Sequence, residues 1–113
     1  KVRLKKSNKC SLGQINVCEK NPRKIKNKYE CLIGKSEFNK GLFIRNWKYG
    51  DKVSVKHSHR KVSDLFINHK IPLFKKFFYP IVEDSKGEIV WIPGVFCREY
   101  NMSLNHLLLR WRD

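Results

Sequence analysis

The sequence has no alanine, one methionine and few acids: 10 Asp and Glu stand against 25 Lys and Arg in 113 residues, a formal net charge of +15. No apolar run comes near the ~20 residues that a bilayer-spanning helix requires, so no membrane partner is expected. The opening residues Lys1-Val2-Arg3-Leu4-Lys5-Lys6 lack the apolar stretch of a signal peptide. A chain that begins at Lys1 instead of Met reads as a fragment or a processed product, and the missing signal points to the cytoplasm. No C-x-x-C pair occurs among Cys10, Cys18, Cys31 and Cys97, which removes zinc ribbons and dithiol redox motifs. The even count permits two disulfides in a secreted protein, but without a signal peptide reduced thiols are expected.

Catalytic groups are missing as well. No serine, cysteine or carboxylate constellation suggests chemistry. Gly34-Lys35-Ser36 ends like a phosphate-binding loop, yet Tyr29 stands where that pattern needs its first glycine. His57-Ser58-His59 has no acid or cysteine at metal-ligating spacing and reads as loop histidines. Asn101-Met102-Ser103 matches a glycosylation sequon, with nothing to indicate secretion.

What remains is a basic, aromatic chain. Hydrophobic residues make up 41%, with three Trp, four Tyr and seven Phe, enough for one packed domain over 1–113. The charge is uneven: residues 1–60 hold 17 Lys and Arg against 4 acids, and residues 61–113 hold 8 against 6. The first half therefore supplies most of the field that would draw in a polyanion. Lysine outnumbers arginine 18 to 7, and an AT-rich genome would favour that too, so charge alone does not assign a function.

The periodicity predicts strands over 12–19, 29–33 and 42–47, with a polar, basic connection over 20–28 between the first two. Val62, Leu65, Phe66 and His69 fall on one face of a helix, with Ser58 or Ser63 as candidate cap and Asp64 at its positive end. Ile71-Pro72 closes it. Pro72 can open a second short helix whose apolar face is Leu73, Phe74, Phe77 and Phe78, packed with the first on a sheet, while Arg60, Lys61, Lys70, Lys75 and Lys76 stay outside. That second helix is too short and aromatic to read a major groove, which argues against a helix-turn-helix. Ile81–Glu83 and Glu88–Ile92 form a hairpin around Asp84-Ser85-Lys86-Gly87, and Leu104–Arg112 reads as a final strand. Asp51 and Asp64 read as turn and helix-start residues. Strands, two short helices, then strands make an α+β arrangement.

Four blocks then recur in a particular order. They are Ile44-Arg45 with Tyr49-Gly50-Asp51-Lys52; Lys61-Val62-Ser63-Asp64-Leu65-Phe66-Ile67; Lys70-Ile71-Pro72 with Pro80-Ile81-Val82; and Gly87 through Val95 (GEIVWIPGV). In this order and spacing, the segment from Leu42 to Tyr100 resembles the C-terminal domain of bacterial tRNA(Ile)-lysidine synthetases. The matching core is 42–100; residues 1–41 carry no matching block, and 101–113 supply the last strand. Lys52 and Lys76 stand where the family often has Arg, and Phe77 and Phe78 where it is usually polar.

The resemblance implies an α+β domain containing a β-sandwich, shared with a domain of the phenylalanyl-tRNA synthetase β chain. It implies a parent ligase that uses ATP and Mg to join lysine to the wobble cytidine of a minor isoleucine tRNA. Catalysis would belong to an N-terminal domain with an SGGxDS loop, absent here, so this chain should be non-catalytic and hold no cofactor. Its implied partners are the tRNA acceptor stem and the parent's catalytic domain. Phosphate contacts are expected from Arg45, Lys52, Arg60, Lys61, Lys70, Lys75, Lys76 and Arg98, with Arg45 and Lys61 foremost because they lie inside matched blocks. Gly50, Pro72, Pro93 and Gly94 would shape turns. The alternative is a structural module that orients the catalytic domain without touching RNA.

Overall fold

The computed structural model describes residues 1–18, 28–56, 58–98 and 106–112. In chain order these form β1 (Val2–Arg3), β2 (Ser7–Cys10), β3 (Gly13–Cys18), β4 (Glu30–Gly34), α1 (Lys35–Lys40), β5 (Phe43–Asn46), β6 (Lys52–Val55), β7 (Ser58–Lys61), α2 (Val62–Asn68), α3 (Leu73–Lys76), β8 (Pro80–Glu83), β9 (Ile89–Ile92), β10 (Phe96–Cys97) and β11 (His106–Arg112). All but the last residue of the basic connection over 20–28 lies outside the described residues, as do His57, the sequon at 101–103 and the start of the expected final strand.

Every residue of β8 and β9 is buried, and that places them between two layers. They are the centre of a five-stranded sheet in the order β1-β5-β8-β9-β10. One face meets a four-stranded sheet, β2-β3-β11-β4, through Ile15, Ile33, Val82, Val90, Trp91, Leu107 and Leu109. The other face meets the β6–β7 hairpin and α2 through Val53, Val62, Leu65, Phe66, Tyr79, Ile81, Ile89 and Ile92. A bulge makes this division possible. Val82 lies opposite Trp91 while Glu83 lies opposite Ile89, so β9 carries Val90 as an extra residue. Val90 and Trp91 then both join the first core, and Ile89 and Ile92 the second. The result is the expected α+β architecture with a β-sandwich.

The expected strands over 12–19, 29–33 and 42–47, the 81–92 hairpin and the C-terminal strand all appear, within a residue or two where described. Five strands and one helix were not foreseen: β1, β2, β6, β7, β10 and α1. Their sequences carry too few apolar residues for a period to show: β2 is SNKC and β7 is SHRK.

Helix α2 has the expected apolar face, but neither serine caps it. Its N-cap is Lys61, without a side-chain cap bond, and the Val62 N–H donates instead to the Asp51 carbonyl at 2.9 Å. Its C-terminus closes with the Lys70 N–H on the Ile67 carbonyl at 3.0 Å and the Ile71 N–H on the Phe66 carbonyl at 2.9 Å, the paired bonds of a Schellman motif. Lys70 takes the left-handed position there, with φ of 56°. The packing expected of the second helix is not found. Helix α3 has only four residues and does not lay a face on the sheet: Leu73, Phe74, Phe77 and Phe78 are 68%, 71%, 56% and 52% exposed. Reduced thiols are also not what the structure holds. Cys31 on β4 is bonded to Cys97 on β10, tying the two large sheets together, while Cys10 and Cys18 are free.

Arg45 stands at the junction of sheet and hairpin. Its Nε donates to Glu83 Oε2 at 2.9 Å, and Nη1 and Nη2 donate to the two oxygens of Asp51 at 2.9 and 3.0 Å. Asp51 also accepts the Lys48 N–H at 2.7 Å, and Lys1 Nζ meets Glu83 at 2.9 Å. The Arg45, Asp51 and Glu83 side chains are only 10%, 12% and 6% exposed. A guanidinium enclosed by two carboxylates is a frame element that sets where β6 leaves the sheet. The expectation that Arg45 meets phosphate is therefore corrected: its charge is already neutralised and its donors are committed inward.

Replacing Arg45 by Ala leaves Asp51 and Glu83 buried without their cation. It is expected to cost about 3–5 kcal/mol in urea unfolding; a loss under about 1 kcal/mol would mean the cluster behaves as an exposed pair. Glu83 adds a pH signature. Burial pushes its carboxyl up, but hydrogen bonds from Arg45 and Lys1, with their charges, outweigh burial and hold its pKa below the usual value. Its contribution is thus complete above the ordinary carboxylate range and is lost as pH falls through the depressed folded value. The stability gap between the protein and Glu83→Gln should stay level near neutrality and close in acid; a gap that widens in acid would contradict this assignment.

Candidate nucleic-acid interface

The β6–β7 hairpin carries a dense run of positive charge. Residues 52–61 contain Lys52, Lys56, Arg60 and Lys61 and no acid. The register sets Lys52 opposite Lys61, Val53 opposite Arg60 and Ser54 opposite His59. Directly opposed residues share a face, so Val53 turns into the core while Lys52, Lys61, Ser54 and His59 point the other way. Ser54 Oγ and His59 Nδ1 are 3.4 Å apart. Two lysines directly across a strand pair repel, and no carboxylate among the described residues sits between them. An external anion would relieve that repulsion.

The same face borders a surface cleft. Lys52, Ser54 and His59 form one side, and Gly87, Glu88 and Arg98 the other, around a volume of about 380 Å³. Ser54 and Arg98 also line a second hollow of about 280 Å³ that reaches Lys56 and Cys97. Arg98 is 25% exposed, and its Nη1 lies 3.2 Å from Asp84 and 3.4 Å from Glu88. Asp84 in turn accepts the Lys86 and Glu88 backbone N–H groups at 2.9 and 3.0 Å. Burial pushes the Asp84 carboxyl up; the backbone donors Glu88 and Lys86, and then Arg98, more than offset this and hold it below its ordinary range. Arg98 is thus fixed to the hairpin turn at the cleft wall.

The remaining expected contacts form a second group. Lys61 sits at the start of α2 and Lys70 just past its end, separated by roughly 10 Å of helix. Lys75 and Lys76 follow on α3, Lys75 exposed and Lys76 half-buried. The structure therefore brings Lys52, Arg60, Lys61 and Arg98 to the hairpin, and Lys70, Lys75 and Lys76 to the α2–α3 corner; Arg45 joins neither. Sequence reading missed Lys56, Ser54 and His59, although the acid-free run between Asp51 and Asp64 was the signal available. Gly94 does shape a turn: with φ of 76°, it brings its backbone within 2.6 Å, measured from where a Cβ would stand, of the Tyr29 ring. Among the described residues no three His, Cys, Asp or Glu side chains gather where they could hold a metal ion. No helix there is long and apolar enough to cross a membrane.

Comparison with known proteins gives this arrangement a context. The family described as TilS substrate C-terminal domain matches residues 42–111. A tRNA(Ile)-lysidine synthase of Bacillus licheniformis is 45% identical over 56 residues, covering 48% of this chain and 12% of that protein. The bifunctional protein TilS/HprT of Listeria monocytogenes is 31% identical over 86 residues, covering 71% of this chain and 13% of that protein. A crystal structure of a TilS C-terminal domain superposes with a TM-score of 0.78 at 25% identity, covering 94% of this chain and 88% of that one. The chain thus spans about an eighth of these curated relatives. With the family matched over residues 42–111 and the fold matched over 94% of the chain, the chain belongs to the TilS substrate C-terminal domain family.

Proposed function

We propose that this domain is the non-catalytic, tRNA-binding part of a tRNA(Ile)-lysidine synthase, holding the acceptor stem while the wobble cytidine reaches a distant active site in the cytoplasm. The observation that carries this reading is the opposed Lys52–Lys61 pair on a hairpin without acids. Rigidly spaced ammonium groups bind a phosphate backbone by charge and spacing without reading bases, which suits an A-form stem. Lys70, Lys75 and Lys76 add cations at the α2–α3 corner, Arg60 lies on the Val53 face of the hairpin, and Arg98, anchored by Asp84, borders the cleft. The described residues do not fit ATP and Mg: no carboxylate cluster is present to hold the ion, and the sequence lacks the SGGxDS loop. On this reading ATP and Mg would be held by the parent protein outside this chain. In a reducing cytoplasm Cys31 and Cys97 would be held as thiols, with the two-sheet core still joining their strands.

A second reading, a module that packs on the catalytic domain, is favoured by Leu73, Phe74 and Phe77, which stand exposed beside one another. Deleting the domain from the full enzyme separates the two. Activity lost on whole tRNA and kept on a bare anticodon stem-loop supports stem capture; loss on both supports packing.

The hairpin makes a further prediction with opposite signs. Lys61→Glu converts a repulsive cross-strand pair into an attractive one, so stability should rise by about 0.2–1 kcal/mol. RNA affinity should fall about tenfold, and the dependence of log affinity on log salt should become shallower by roughly one phosphate's worth, 0.7–0.9. Fluorescence titration at several salt concentrations and urea unfolding read both; unchanged affinity removes Lys61 from the interface.

A further inference from the structure

Another cleft lies along β1, β2 and β5. It has a volume of about 460 Å³ and is lined by Lys1, Lys5, Ser7, Lys9, Asn46 and Phe78, among others. That volume suits one small-molecule-sized group. Its lining combines three lysines with an aromatic ring that is 52% exposed.

The lysine wall is built to stay in place. Leu4 is plugged into the first core, and its N–H donates to the Leu42 carbonyl at 2.6 Å. Asn8, itself buried, accepts the Lys5 N–H at 2.8 Å and returns its amide to the Lys5 carbonyl at 2.6 Å and the Ile15 carbonyl at 3.2 Å. The backbone of Lys5 is therefore gripped on both sides while its side chain stays exposed. Lys9 directly follows Asn8 on β2 and so points to the opposite face. The cations are not equivalent. Lys1 and Arg45 are engaged by Glu83 and Asp51, whereas neither Lys5 nor Lys9 meets a carboxylate among the described residues.

We infer that this cleft receives one unpaired nucleotide flanking an RNA duplex, its phosphate held by Lys5 and Lys9 and its base laid against Phe78. The inference rests on the RNA-binding reading above and extends it to the N-terminal segment, which lies outside the family match at 42–111. Ammonium groups and an aromatic ring that line one small-molecule-sized cleft can take a phosphate and a base together. An apolar partner surface on Phe78 would desolvate the lysines without pairing them. Asn46, also on the lining, can hydrogen-bond a base edge through its amide.

The test compares two labelled RNA hairpins with the same stem, one blunt and one with a four-nucleotide single-stranded 3′ extension, titrated against the whole chain. The extension should tighten binding about tenfold. Phe78→Ala and the double variant Lys5→Glu with Lys9→Glu should each abolish that gain and leave blunt-hairpin affinity within about twofold, while Phe78→Tyr retains the gain. Equal affinity for the two RNAs, or a gain that survives Phe78→Ala, overturns the nucleotide site and leaves stem binding standing. Failure of either RNA to bind overturns stem binding and the nucleotide site together.

Discussion

The placement of the cationic surface depends on one buried contact, the two-pronged grip of Arg45 on Asp51. Asp51 sits where the chain leaves the five-stranded sheet, and its carboxylate fastens the turn that launches β6, while its carbonyl receives the first N–H of α2. One residue thereby fixes where β6, which carries Lys52, and α2, which Lys61 and Lys70 flank, begin. A guanidinium is suited to this because its planar fork matches a carboxylate edge-on and leaves Nε for Glu83. The same contact explains why Lys52 and Lys61 remain opposed. Their separation is dictated by a ladder whose origin is pinned, so their repulsion cannot be relieved by sliding the register.

Three layers follow from two kinds of strand. The central pair is apolar on both faces and needs cover on each side; the bulge at Val90 lets a four-residue strand serve both cores. The outer elements bury only what they must. The hairpin contributes Val53 to the second core and leaves its other face to solvent, so its composition is free to be basic. Charge and fold are consequently separable here: the lysines lie where packing makes no demand, and packing lies where no lysine could be tolerated.

The legibility of the sequence tracks this separation. Strands around Ile15, Ile33, Ile44, Val82 and Val90 could be read because their buried residues impose a period. Strands β2 and β7 could not, because pairing with a neighbour, not burial, makes them strands. Helix α2 was readable from Val62, Leu65 and Phe66, whereas its cap was not, since the group that satisfies its first N–H lies eleven residues earlier in the chain. Arg45 was misjudged for a related reason. A motif shows that an arginine matters, but only the fold shows that Asp51 and Glu83 converge on it. Pairing of Cys31 with Cys97 was equally hidden, because 66 residues separate two positions that only the stacking of the sheets brings together.

Lys70 completes the turn that ends α2 in a backbone shape that suits glycine far better. An L-residue there gives up roughly 1–2 kcal/mol relative to the right-handed region. Glycine would ease the strain and, having no side chain, would remove the ammonium group from the corner where α2 meets α3. The helix terminus therefore trades conformational comfort for a positive charge held at one fixed point in space, with the cost borne by the folded state whether or not a ligand is bound.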